Sequence, residues 1–340
     1  MIAANLRFGS YERADATDLF RDYLADDEGA PKHVSSCGLP DKWTALRLSR
    51  IEKYNHDVSL FTFELPAGLE ALNLPLGAYL LLLTPKGDIR PYTSVSAGAE
   101  ERGRFTIMVK RYDEWGTKEA PHTHFLFTKT DHTYKPPGVV SSYIHGLRVG
   151  DSVSFKHAGP CIGKLGEVFD ERGRCVTMIC VGIGVAPMVQ SLAALFTRPD
   201  RGIRVVLIYG VRRAEDILMR ALLEQWAEQH SERFRMVLCV GSRYSNVHMG
   251  AAAMAKGKAT EYVAPPDLLA GVRGVALQGW VTEAVIAAHA FPCSDPRSRV
   301  LVCGLPGVYL KICGPRLSEE LAPGSALYNL GFSKQQVIKL

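Results

Sequence analysis

Three short runs hold side chains whose types and order suit one kind of chemistry. The first, Arg90-Pro91-Tyr92-Thr93-Ser94-Val95-Ser96, closes an apolar stretch. A guanidinium can grip a diphosphate through two parallel hydrogen bonds, a tyrosine ring can lie against a flat heterocycle, and a threonine hydroxyl can hydrogen-bond a ring nitrogen. The second, Gly182-Ile183-Gly184-Val185-Ala186-Pro187-Met188, follows a buried-type strand and opens a helical pattern. Glycines at that junction let a pyrophosphate approach the backbone and meet the positive end of a helix, although the spacing is not the GxGxxG of a dehydrogenase. The third, Cys303-Gly304-Leu305-Pro306-Gly307, ends a strand at the edge where open α/β sheets bind ligands. Taken singly, each has an ordinary structural counterpart: a strand with a proline turn, a glycine turn, a buried cysteine.

The elements that must position these runs fall into two textures. From Ala45 the chain breaks into short apolar or alternating segments, Leu46–Ile51, Ser59–Phe63, Tyr79–Leu83, Phe105–Val109 and Ser152–Lys156, with turn residues between them. That spacing predicts a small antiparallel barrel over residues 44–168. After Asp170-Glu-Arg-Gly the strands become continuously apolar, Cys175–Val181, Val205–Tyr209, Met236–Val240 and Val300–Cys303, and alternate with helical segments at Pro187–Phe196 and Ala214–His230. Such alternation predicts a parallel sheet with helices on its faces over residues 174–340. Residues 243–273, rich in Ala, Gly and Lys, read as a long insertion in that domain, either a mobile loop or a lid. Residues 1–43 are polar and mixed, with a short helical pattern at Ala14–Leu24, and read as an extension.

Composition excludes several alternatives. The formal net charge of +5 is spread along the chain with no block that would track a phosphate backbone, so nucleic acid is not an expected partner. The eight cysteines include no CxxC pair and no regular framework, which suits reduced thiols in the cytoplasm or mitochondrion and not a secreted protein. His122, His124 and His132 read as a polar surface loop, and no metal ligand set is expected. The start, Met-Ile-Ala-Ala-Asn, shows neither a myristoylation glycine nor a signal anchor, and the acidic residues after it do not suit a transit peptide. The expectation is no direct membrane span, with any membrane association supplied by a partner.

In this order, the three motifs resemble the ferredoxin reductase superfamily, most closely its NADH-cytochrome b5 reductase family, and the resemblance extends over about residues 44–340. It implies a two-domain protein, an antiparallel FAD-binding barrel followed by a parallel-sheet α/β domain for the nicotinamide dinucleotide, with the flavin ring at their junction. By resemblance, Arg90, Pro91, Tyr92 and Thr93 bind FAD, with Thr93 at the ring nitrogen that receives hydride. Val109, Lys110 and Tyr112 look like a second flavin-contacting strand, and Gly138, Val139, Val140 and Ser141 like the turn that holds the diphosphate. Gly182, Gly184, Ala186, Pro187 and Met188 are similar to the dinucleotide loop. Cys303, Gly304 and Pro306 match the motif whose cysteine borders the hydride path, which makes Thr93 and Cys303 the expected catalytic pair.

Asp216 matches a position associated with NADH, while Arg212 and Arg213 follow the same strand where an arginine serves NADPH in some relatives; NADH is the favoured reading. The implied acceptor is cytochrome b5 or a similar acidic haem protein, for which Arg111, Lys118, Lys129 and Lys135 are docking candidates. The sequence departs from the family at Ile183, where Thr or Ser is usual, at Ala78-Tyr79 in place of Gln-His, at Val139 in place of Lys, and at Leu340 in place of Phe. An NADPH reductase for a ferredoxin, oxygenase or quinone, and a reductase-like structural subunit, remain as alternatives. The oligomeric state is not legible.

Overall fold

Asn55 decides where the first hairpin turns. Its side-chain oxygen accepts from the backbone N–H groups of Asp57 (3.1 Å) and Val58 (2.8 Å), an Asx turn that folds β1 (Thr44–Lys53) back onto β2 (Val58–Glu64). The computed structural model describes residues 37–74, 76–96, 102–114, 136–157, 168–169, 173–196, 202–241 and 274–340. The expectations for Ala14–Leu24, the 243–273 insertion, the three histidines, Lys118, Lys129 and Lys135 lie outside those residues. The chain divides into two compact units, Met1–Cys161 and Ile162–Leu340.

In the first unit β1 and β2 are followed by β3 (Leu80–Leu83), β4 (Ile89–Tyr92), β5 (Arg104–Lys110), α1 (Val139–His145) and β6 (Ser152–His157). They form an antiparallel six-stranded sheet in the order β4-β3-β6-β1-β2-β5. The chain leaving β4 then bridges to the opposite edge: Ser94 pairs with Ile107, and Val95 N–H donates to Thr106 O at 2.9 Å. This contact curls the sheet toward itself and covers part of an otherwise open edge. Apolar residues on the inner faces meet around Phe63, Phe105 and Phe155, whose ring centroids lie 4.8–5.7 Å apart. Leu39, ahead of β1, is part of this core, and Gly38 N–H donates to Leu72 O at 2.7 Å. The sequence pattern does not single out β4, because proline at its third position hides a four-residue edge strand.

The second unit runs β7 (Cys175–Val181), a 3-10 turn (Gly182–Gly184), α2 (Val185–Phe196), β8 (Arg204–Val211), α3 (Arg220–Gln229), β9 (Phe234–Val240), β10 (Val275–Gln278), α4 (Glu283–His289), β11 (Ser298–Cys303), α5 (Pro306–Ile312), α6 (Ala326–Asn329) and β12 (Val337–Lys339). All strands are parallel, in the order β10-β9-β8-β7-β11-β12. Pro187 sits in the first turn of α2, where its missing N–H costs no helical bond. The helix expected over Ala214–His230 is not continuous. Ala214–Asp216 is a 3-10 turn, Ile217 and Leu218 are buried, Leu218 N–H donates to the Tyr209 hydroxyl (3.1 Å), and Met219 adopts φ +57° before α3 starts. Burying that pair beneath β8 outweighs the helix-like periodicity. Among the described residues no helix is long and apolar enough to cross a membrane.

Two outcomes follow. Phe155→Ala should destabilise the first unit by about 3–5 kcal/mol, because it opens a cavity among the three rings; chemical denaturation measures it. His145, which donates Nε2–H to Val109 O (3.1 Å) and meets the Phe61 ring edge-on, has its pKa held below its ordinary value of 6.5, mainly by burial. The unfolded chain therefore takes up this proton first as pH falls, so stability declines from about pH 6.5 downward and is unaffected above it. Thermal midpoints from pH 7.5 to 5.5 should fall less steeply in His145→Gln than in the parent; superimposable slopes would assign the effect elsewhere.

Candidate functional site

In the first unit the antiparallel register puts Arg90 opposite Leu82 and Tyr92 opposite Leu80, so both side chains share one face of β4. Arg90, Pro91, Tyr92 and Thr93 are all half-buried. The Arg90 guanidinium donates to Ile89 O at 2.7 Å. Burial and then the neighbouring Tyr112 phenol push the Tyr92 hydroxyl up, with the Arg90 charge pulling the other way, so Tyr92 stays neutral across the physiological range. The electrostatic neighbourhood of Tyr92 thus includes Tyr112 and Arg90.

The turn at 138–141 is fastened to this patch. Gly138 N–H donates to Tyr112 O (2.8 Å), Ser141 Oγ accepts from Tyr112 N–H (3.4 Å) and donates to Gly138 O (3.1 Å). A Cβ at Gly138 would stand 2.5 Å from Ser141 Oγ and 3.2 Å from Tyr112 Cβ, so a larger residue there would displace the Ser141 hydroxyl from its hydrogen bonds. The Val109 and Val140 side chains point into the core, which leaves their backbone as the part able to meet a ligand. Lys110 pairs with Asp57, a partner the sequence pattern does not identify. Exposed Arg111 is paired with Asp113 at 2.8 Å. The donor set, a guanidinium, a neutral phenol ring, a hydroxyl and a glycine turn, matches the needs of a flavin dinucleotide: charge for the diphosphate, a flat face for the ring.

In the second unit β7 and β11 are neighbours at the centre of the sheet, and the chain leaves them toward opposite sides, β7 to β8 and β11 to β12. This is the topological switch point of an open parallel sheet. The two glycine-bearing turns meet there. A Cβ at Gly184 would lie 2.5 Å from Cys303 O and 3.0 Å from Gly304 N, so the turn after β7 is pressed against the end of β11. Gly182 takes φ +55°, and a Cβ built on it would meet nothing within 4 Å. One side of the turn is closed by protein, and the other leaves open space where a phosphate could approach the backbone at the start of α2. Ala186 and Met188 face the core, Ile183 and Pro187 are half-buried, and Pro306 opens α5.

Cys303 pairs in register with Cys180, and burial pushes both thiols up; for Cys303 a hydrogen bond with Tyr309, the Arg316 charge and the Gly304 backbone partly offset it. Cys303 is therefore a neutral thiol at physiological pH. Asp216, half-buried in the 3-10 turn after β8, has its N–H bonded to Arg213 O (3.1 Å), while Arg213 lies 3.9 Å from Glu215 and Arg212 is exposed. Cys180 and Tyr309 are absent from the motif reading; only the strand register and the fold around α5 place them beside Cys303.

Gly184→Ala would set a methyl group against two backbone groups that cannot swing away. It should cut NADH affinity by at least about tenfold, the equivalent of about 1.4 kcal/mol, and lower the thermal midpoint, whereas Gly307→Ala, where the added Cβ meets open space, should do neither; NADH titration and a melting curve check both.

Comparison with known proteins accords with this geometry. Residues 45–165 match the oxidoreductase FAD-binding domain and residues 178–267 the oxidoreductase NAD-binding domain. A protein of Yarrowia lipolytica named NADH-cytochrome b5 reductase 2 is 28% identical over 305 residues, covering 88% of this chain and 86% of its own length. Its namesake in Saccharomyces cerevisiae is 27% identical over 307 residues, covering 88% and 83%. The cytochrome b5 reductase domain of Ulva prolifera nitrate reductase shares the fold, with a TM-score of 0.60 at 23% identity over 89% of this chain and 98% of that one. With an FAD-binding domain and an NAD-binding domain in this order, the chain is an enzyme of the FAD- and NAD-binding oxidoreductases, and along most of its length it is similar to NADH-cytochrome b5 reductases.

Proposed function

We propose that this enzyme takes hydride from NADH and delivers electrons singly to a haem protein of the cytochrome b5 type. The observation that carries the reading is the meeting of the Gly182–Gly184 turn with Cys303 at the switch point of the parallel sheet. Bound FAD would supply the chemistry the protein lacks, accepting two electrons together and releasing them one at a time. The chain's own work is binding and alignment.

Arg90, with Ser141 and the backbone of Gly138, Val139 and Val140, holds the FAD diphosphate. Tyr92 supports the ring as a neutral phenol, Pro91 fixes its approach, Thr93 offers a hydroxyl to the ring nitrogen, and Val109, Lys110 and Tyr112 line the second side. Gly182, Gly184, Ala186, Pro187 and Met188 form the nicotinamide dinucleotide turn, and Gly304 and Pro306 shape the opposite wall. A neutral Cys303 borders the nicotinamide without competing for hydride or adding charge. The Asp216 carboxylate can accept from a ribose 2′-hydroxyl and repels a 2′-phosphate, which favours NADH over NADPH.

On the proposed domain limits, residues 44–168 bind FAD, residues 174–340 bind NADH, and 1–43 form an extension. The acceptor reading draws on the names of the relatives. A net charge of +5 suits transient, steered encounter with an acidic partner, with Arg111 among the contributors. The described cysteines are all free thiols, consistent with a cytoplasmic or mitochondrial setting.

Anaerobic addition of one equivalent of NADH to the flavin-loaded protein should bleach the flavin band at about 450 nm promptly, with NADPH much slower and the preference reduced in Asp216→Ala. Equal rates with both coenzymes would remove the role given to Asp216. Failure of cytochrome b5 to reoxidise the reduced protein, with a small dye still active, would remove the acceptor.

A further inference from the structure

The segment that carries Asp216 is held against its own backbone preference. Met219 takes φ +57°, a left-handed conformation that a residue with a side chain keeps only where its surroundings impose it. They do so here: the Ile217 and Leu218 side chains are buried, the Leu218 N–H donates to the Tyr209 hydroxyl at 3.1 Å, and Met219 O accepts from Leu223 N–H at 2.9 Å as α3 begins. Tyr209 is fully buried near the carboxyl end of β8, in register with Cys180 of β7 on one side and Leu238 of β9 on the other. Burial sets how deep the 217–218 pair sits. The hydrogen bond to a fixed ring sets the direction of the backbone between Asp216 and α3.

Asp216 is bracketed by this anchor and by the turn before it. Its N–H donates to Arg213 O at 3.1 Å, the next N–H, of Ile217, donates to Ala214 O at 3.2 Å, and Leu218 is tied to Tyr209 two residues on. The same short stretch carries both signs of charge that matter to a ribose 2′-position: the half-buried Asp216 carboxylate, and the guanidinium groups of exposed Arg212 and of Arg213, the latter 3.9 Å from Glu215. Which of them a dinucleotide meets depends on how firmly the turn is wound.

We infer that Tyr209 is a positioning residue for coenzyme choice, whose hydroxyl, acting through the Leu218 N–H, keeps the turn wound so that Asp216 and not the arginines meets the ribose. Without the hydroxyl the Leu218 N–H becomes a buried donor with no acceptor on Tyr209, and the favoured relief is for the backbone to shift and for Met219 to leave the left-handed region. A carboxylate that moves back loses its bond from a 2′-hydroxyl and repels a 2′-phosphate less. NADH then binds more weakly while NADPH does not. The consequence for the coenzyme rests on the place proposed for Asp216; the anchoring of the Leu218 amide does not.

The test uses the full-length flavin-loaded enzyme and its Tyr209→Phe variant. Amide hydrogen exchange at Leu218 should quicken about five- to tenfold in the variant, and the ratio of kcat/KM for NADH to that for NADPH should fall about three- to tenfold, through KM for NADH with a smaller change in kcat. Adding Tyr209→Phe to Asp216→Ala should lower the ratio no further than Asp216→Ala does alone, because both changes remove the same contact. If the phenylalanine form does not fold, 4-fluorophenylalanine at position 209 fills the volume of the hydroxyl while accepting almost no hydrogen bond, and the same fall is expected. A ratio that drops in Asp216→Ala but not in the folded Tyr209 variants would overturn the role of Tyr209 and leave Asp216 its own, as would additive losses in the double variant or unchanged exchange at Leu218. A ratio indifferent to Asp216→Ala would instead remove the place given to Asp216, and the coenzyme role of Tyr209 with it.

Discussion

The contact between the glycine turn after β7 and the carbonyl of Cys303 is the constraint on which the second unit is organised. Two neighbouring parallel strands end at the same level, and their chains must leave in opposite directions. The turn after β7 can lie flat against β11 only without a side chain at 184, because the space for a Cβ is occupied by backbone. That closeness brings one wall of the proposed dinucleotide site, the start of α2, within reach of the other, the cysteine turn. A parallel sheet makes such a meeting natural, since both strands present their carboxyl ends on one side.

The first unit solves a different problem. A six-stranded antiparallel sheet has two edges with unpaired backbone groups, and the segment after β4 crosses to pair with β5. The same segment follows the Arg90–Tyr92 strand, so curling the sheet also fixes where the guanidinium and the phenol end. Three phenylalanine rings fill the space inside, and Ser141 and Gly138 fasten α1 beside Tyr112. Both are hydrogen-bonded arrangements in which the residues proposed to face ligands sit on strands or on tightly closed turns, the kind of support that alignment for hydride transfer needs.

Around Cys303 the electrostatics are set by burial more than by charge. A half-buried thiol beside a fully buried one resists ionisation, and a single guanidinium and a phenol only moderate it. A neutral sulfur suits the place proposed for Cys303 beside the nicotinamide, where a thiolate would repel the electron-rich reduced cofactors and attract oxidants.

The sequence alone determined the local chemistry. The types and order of Arg90–Thr93, Gly182–Met188 and Cys303–Pro306, the change from alternating to continuously apolar strands, and the two-part division they imply are properties of neighbouring residues, legible because strand periodicity and glycine turns are local. What it could not determine were features made by residues distant in the chain. The break between Ala214 and Arg220 arises because Ile217 and Leu218 are buried and Tyr209 captures a backbone N–H, against the helical pattern. The pairing of Lys110 with Asp57, the register that sets Cys180 beside Cys303, and the hydrogen bonds from Tyr309 to Leu340 O and from Lys339 to Pro315 O have no signature in any short window. Tertiary structure decided these, because hydrogen bonds and burial act between whatever atoms the folded chain brings together, regardless of their separation in sequence.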